Sequence, residues 1–133
     1  VLYVEDNPQV ADAIAHRFAR VAGVSWLGVL PTADELVERS IADRPHVVIL
    51  DLDLPGICAI TALRNLSALP GSPRVVIFSG KVDQGMIDAA VQAGAWGYVS
   101  KHDGEDAIVD AVSRVLDDEF VLSPEARQVY DQR

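Results

Sequence analysis

Glu5-Asp6, Asp51 with Asp53 two residues on, Ser79 and Lys101 each close or follow a short apolar run of this sequence. Carboxylates gathered at one place repel one another unless a cation neutralises them. Mg²⁺ suits a few carboxylates completed by waters and a phosphate oxygen. Lys101 would bring a second positive charge to an incoming phosphoryl group, and the Ser79 hydroxyl a donor for one of its oxygens. A carboxylate that attacks phosphorus forms an acyl phosphate, one form of covalent catalysis. Phosphoryl transfer chiefly needs positioning and charge neutralisation, and these side chains offer both. Taken singly, each has a plainer reading: Asp6 as a helix N-cap, Asp51 as a loop acid, Ser79 as a turn former before Gly80, Lys101 as a solvated lysine. Their shared placement, in the order acid pair, Asp, hydroxyl, Lys, favours a site.

The runs that would position them are Val1–Val4, Val47–Leu50 and Val75–Phe78, joined by the less pure Val24–Leu30 and Trp96–Val99. Apolar runs without alternation read as strands covered on both faces, as in a parallel sheet. Helix-period segments lie between them. Asn7-Pro8 reads as N-cap and first helical residue, followed by a stripe of Val10, Ile14, Phe18 and Val21. Thr32-Ala33-Asp34-Glu35 has capping-box spacing ahead of Leu36, Val37 and Ile41. Ile60, Leu63 and Leu66 mark a third helix. Met86, Ala90 and Ala93, stopped by Gly94, mark a fourth. Ile108, Val112 and Val115 mark a fifth, running to Asp117 or Asp118. Five strand–helix repeats predict an α/β fold: a doubly wound, five-stranded parallel sheet with helices on both faces. Ligands of such sheets bind outside the carboxyl ends of the strands, where Glu5, Asp6, Asp51, Ser79 and Lys101 all fall.

Composition narrows the class. The chain has 133 residues, enough for one domain with a real core, and half of them are hydrophobic. A formal charge of −9, with no long acidic run, argues against a nucleic-acid surface. Cys58 is the single cysteine, which excludes an internal disulfide and fits a reducing, cytoplasmic location. No apolar stretch approaches the ~18 residues that span a bilayer, and no signal-peptide pattern opens the chain. Val1 already lies inside an apolar run, as in a trimmed chain. His16 reads as a helix-surface residue; His46 and His102 share no ligand spacing with it. Cys58 has no evident His partner, so it reads as a small helix residue.

The segments Val-Glu-Asp-Asn-Pro (4–8), Val-Val-Ile-Leu-Asp-Leu-Asp-Leu-Pro-Gly (47–56), Val-Val-Ile-Phe-Ser-Gly (75–80) and Ala-Trp-Gly-Tyr-Val-Ser-Lys (95–101) resemble the receiver domains of two-component response regulators. The resemblance covers nearly the whole chain. It implies the flavodoxin-like strand order 2-1-3-4-5 and Asp51 as phosphoacceptor. It implies Mg²⁺ held directly by Asp6, Asp51 and the backbone carbonyl of Asp53, with Glu5 acting mainly through water. It implies Ser79 and Lys101 on the phosphoryl oxygens, and Tyr98 as the aromatic that swings inward on activation. The implied partners are a sensor histidine kinase or phosphotransfer protein and, on phosphorylation, a second copy of the chain, with neither nucleic acid nor membrane bound by the domain itself. Enzymatic activity would be limited to its own phosphorylation and dephosphorylation. Residues 118–125 resemble the segment that, in NarL/FixJ-type transcription regulators, leads into a helix-turn-helix domain absent from this chain. The expected organisation is a receiver over 1–118 and a linker or helix segment over 119–133.

The sequence departs from the family pattern in three places: His102 replaces the proline after the lysine, Cys58-Ala59 replaces an acid–Gly pair, and Ser79 stands where Thr is also common. In the family that proline follows a cis peptide; a non-proline cis bond costs about 3–4 kcal/mol, leaving the Lys101–His102 geometry open. A haloacid-dehalogenase-type phosphatase is the alternative, with Asp51-Leu52-Asp53 as nucleophile motif and Asp117-Asp118 as metal acids. Against it, the acid pair at Glu5-Asp6 would be unexplained and Asp117-Asp118 would end a helix. A docking-only pseudo-receiver is disfavoured by the intact acids, Ser79 and Lys101.

Overall fold

The computed structural model describes residues 1–54 and 58–132. The elements, in chain order, are β1 (Leu2–Val4), α1 (Pro8–Phe18), β2 (Gly28–Leu30), α2 (Leu36–Asp43), β3 (Val47–Leu50), α3 (Ala59–Ser67), β4 (Arg74–Ser79), α4 (Gln84–Gln92), β5 (Gly97–Ser100), a 3₁₀ turn (Lys101–Asp103), α5 (Glu105–Leu116), β6 (Val121–Leu122) and α6 (Pro124–Tyr130). All strand pairs are parallel, in the order β2-β1-β3-β4-β5-β6.

The strands separate two cores by simple alternation. Leu2, Val4, Val48, Leu50, Val75, Ile77 and Tyr98 face α2, α3, α4 and α6. Tyr3, Val47, Ile49, Val76, Phe78 and Val99 face α1 and α5. Both faces are buried, as the unbroken apolar runs require.

Helix ends follow local chemistry. Asn7 caps α1, its side chain accepting from the N–H groups of Gln9 and Val10 at 3.0 and 3.3 Å. Gly94 ends α4 at φ +110°, and a Cβ there would lie 2.3 Å from Ser67 Oγ, so only glycine fits.

Three expectations need correction. The sheet has six strands, not five: Val121 and Leu122 pair with Gly97 and Tyr98. Two residues are too few to show a strand period, and the edge they join exists only once β5 has folded. The second strand is Gly28–Leu30 rather than 24–30. Gly28, at φ +125°, interrupts the extended run, and the residues before it bond irregularly, Leu27 N–H to the Val1 carbonyl at 2.8 Å. Thr32 does not cap α2: its hydroxyl accepts from Asp34 N–H at 3.3 Å in a turn, and the helix starts four residues later with no side-chain capping bond. Pro55 and Gly56, read as part of the Asp51 motif, lie outside the described residues.

Candidate functional site

β1 ends at Val4, β3 at Leu50, β4 at Ser79 and β5 at Ser100, in a register that aligns Val4 with Leu50, Leu50 with Ile77 and Ser79 with Ser100. The next residues therefore emerge on one rim. Ladder bonds run into the site itself, with Glu5 N–H on the Leu30 carbonyl and Asp51 N–H on the Val4 carbonyl.

Oxygens of Glu5, Asp6 and Asp51 come within 4.8 Å of one another, the one such cluster of potential metal ligands among the described residues. Glu5 and Asp51 are buried and Asp6 is exposed. Lys101 Nζ sits between the buried pair, 2.7 Å from Glu5 Oε1 and 2.8 Å from Asp51 Oδ2. Glu5 accepts two further bonds, from Tyr3 Oη at 2.9 Å and Asn7 N–H at 3.2 Å. Asp51 Oδ1 accepts from Asp53 N–H at 3.0 Å.

These contacts separate the two carboxylates electrostatically. Burial opposes the charge on Glu5, but donors from Lys101, Tyr3 and Asn7 outweigh it and hold its carboxyl below the usual range. At Asp51 burial prevails over its bonds from Lys101 and Asp53, with repulsion from Glu5 added, and the pKa rises. Lys101 is pushed up: burial would lower it, but the two carboxylate bonds dominate. One ammonium against three carboxylates leaves the pocket electronegative, and its all-oxygen donor set fits a hard dication such as Mg²⁺.

Ser79 is fully buried at the rim, its Oγ accepting from Lys81 N–H at 3.1 Å. Tyr98 is also fully buried, its hydroxyl donating to the Lys81 carbonyl. Burial, then the Asp83 charge, raises its pKa. Lys81 Nζ lies 3.5 Å from Asp53 Oδ1, both side chains largely exposed. The Lys101–His102 peptide is trans.

Every site residue named from the sequence falls on this rim or, for Tyr98, beside it. His16, His46 and Cys58 are exposed and join no cluster. Asp118 pairs with Arg74, the first residue of β4, at the opposite end of the sheet from Asp51, so the phosphatase reading finds no support. The sequence reading missed Tyr3, whose signal was available: in a strand, residues two apart share a face, and a phenol two before an acid can reach it. It also missed the C-terminal contacts to β5. Ser123 Oγ accepts from Ser100 N–H at 2.9 Å. Glu125 meets the ring of His102 at 3.1 Å, and its N–H donates to Asp103 at 2.9 Å.

The sequence is 32% identical over 118 residues to the transcriptional activator protein ExaE of Pseudomonas putida, covering 87% of this chain and 54% of that one. It is 27% identical over 128 residues to the response regulator GacA of Pseudomonas aeruginosa, covering 96% and 60%. The chain thus spans somewhat over half the length of these relatives. A crystal structure of a LuxR-family two-component response regulator from Aurantimonas superposes with a TM-score of 0.93 at 27% identity, covering 98% of this chain and 94% of that one. The isolated receiver domain of RcsB from Salmonella enterica, with a beryllofluoride phosphomimetic, superposes at 0.88 with 17% identity, showing the shared fold. The model of the response regulator receiver domain matches residues 1–113, and this chain belongs to that family, the receivers of two-component signalling systems.

Proposed function

We propose that Asp51 is the phosphoacceptor of this receiver. An Asp51 carboxylate oxygen attacks phosphorus, the P–N bond of a phosphohistidine on a sensor kinase or phosphotransfer protein breaks, and the departing imidazole nitrogen keeps the electron pair and takes up a proton. The observation that carries this reading is Lys101 Nζ bridging Glu5 and Asp51 at 2.7 and 2.8 Å, a cation already seated beside the nucleophile. Lys101 and the Ser79 hydroxyl then take phosphoryl oxygens.

Asp6, Asp51 and the Asp53 carbonyl would hold Mg²⁺, with Glu5 in support. The metal supplies charge neutralisation for the carboxylates and the phosphoryl group. Ser79 turning toward the phosphoryl group would release space for Tyr98, whose ring lies against α4 and α6. The output is a changed interaction surface that controls a response, transcription being the role that the ExaE name carries. The protein is a regulatory phosphoacceptor with no turnover beyond its own phosphorylation cycle.

Incubation with acetyl phosphate and Mg²⁺ should add one phosphoryl group, labile to hydroxylamine, and Asp51→Asn should abolish it. Label that persists in the variant, or appears on His16, overturns the assignment. Hydrolysis of p-nitrophenyl phosphate with repeated turnover would instead support the phosphatase.

A further inference from the structure

Tyr3 is a phenol within an otherwise aliphatic strand, and its position relative to Glu5 is set by the pleat. Residues 3 and 5 share the face turned toward α1 and α5. Tyr3 is fully buried there, and its hydroxyl donates to Glu5 Oε1 at 2.9 Å. The ring has little freedom to leave. It meets Trp26 edge-on, centroids 6.2 Å apart, and lies tilted against Phe78 at 6.5 Å. Trp26 is in turn stacked on Phe18 at 5.2 Å. The hydroxyl is therefore a donor held in place by aromatic packing.

Glu5 has three donors of two kinds. Lys101 is a flexible side chain with a second acceptor, Asp51, whereas the Asn7 N–H and the Tyr3 hydroxyl are fixed to the backbone and the core. We propose that Tyr3 is a positioning residue: it holds the Glu5 carboxylate in the orientation that serves Mg²⁺, because Lys101 divides its bonds between Glu5 and Asp51 and does not fix Oε1 alone. This rests on the Mg²⁺-dependent reading of the acidic pocket. Without the phenol, only the flexible and shared Lys101 ammonium would hold Oε1, and the carboxylate would gain freedom to rotate. The partner of a ligating group commonly matters to metal affinity by about 10–100-fold.

The test is Mg²⁺ binding by calorimetry on the unphosphorylated protein. Tyr3→Phe keeps the ring and removes only the hydroxyl. The expected result is Mg²⁺ affinity lower by severalfold, less than that range because Tyr3 acts through Glu5, which itself reaches the metal through water. In a Glu5→Gln background, where no carboxylate remains to orient, Tyr3→Phe should cause no further loss. Affinity equal to or tighter than the parent's overturns the proposal. So does an equal loss in both backgrounds, which would make Tyr3 only a packing residue. A parent that binds no Mg²⁺ overturns the underlying metal reading instead. If Tyr3→Phe does not fold, the near-ultraviolet tyrosine difference spectrum of the parent on adding Mg²⁺ decides. A perturbation that Glu5→Gln abolishes supports the proposal, and one that survives it refutes it.

Discussion

Asp53 and Lys81 face one another across the mouth of the pocket because two matching turns put them there. Asp53 N–H bonds back to Asp51 Oδ1, and Lys81 N–H bonds back to Ser79 Oγ, each two residues earlier. At 3.5 Å between largely exposed groups, the pair adds only about 0–1 kcal/mol to stability. Its place carries the prediction: we expect water attacking an Asp51 phosphoryl group in line to approach past these side chains. Asp53 also offers that water no side-chain N–H. Asp53→Asn combined with Lys81→Gln should therefore speed loss of the phosphoryl group severalfold. The decay of phosphorylated protein in excess Mg²⁺, after removal of the donor, measures it; a rate no faster than the parent's removes the gate.

β5 is where the pocket and the C-terminal segment meet. Its last residue precedes Lys101, while β6 and α6 attach along its outer edge. Leu122 and Ala126 join Ile87, Ala90 and Tyr98 in one core, and Gln84 Nε2 of α4 donates to the Val129 carbonyl at 3.1 Å. Through Ser123 and Glu125, α6 also holds the backbone and turn that carry Lys101. Ser123→Ala would leave the buried Ser100 N–H without its acceptor, a loss of about 1–3 kcal/mol. Urea unfolding should show this as a lower midpoint at unchanged slope. An unchanged midpoint would mean that the hydroxyl does not anchor the C-terminal segment.

At the scale of the molecule, α6 already occupies part of the surface formed by α4 and β5. The surface formed by α1 and α5 is exposed and carries both signs of charge. Asp12, His16 and Arg20 lie near Glu105, and Arg17 reaches Asp106 at 2.9 Å. A symmetric pair needs a self-complementary patch, and charges of both signs on one surface are what such a pairing requires. We expect beryllofluoride with Mg²⁺ to double the sedimenting mass, and Asp106→Arg to prevent the doubling while phosphorylation proceeds. A dimer indifferent to Asp106→Arg would move the interface to another face. No change in mass would mean that the output runs through a different partner. Among the described residues, no helix is long and apolar enough to cross a membrane.

The site was legible in sequence because a parallel sheet places every strand's carboxyl end on one rim. Acids, a hydroxyl and a lysine at the ends of unbroken apolar runs therefore had to converge. The capped start of α1 and the glycine stop of α4 were legible for a similar reason: both rest on bonds and backbone angles within a few residues. What tertiary structure alone decided was pairing. Val121–Leu122 becomes a strand only against β5, and Val24–Leu27 fails to become one because Gly28 turns the chain. Thr32 serves a turn in place of a helix cap. The bridge from Lys101 to Glu5 and Asp51 spans 96 and 50 residues of chain. Such distant contacts depend on how the whole sheet closes, and no local pattern of residues encodes that distance.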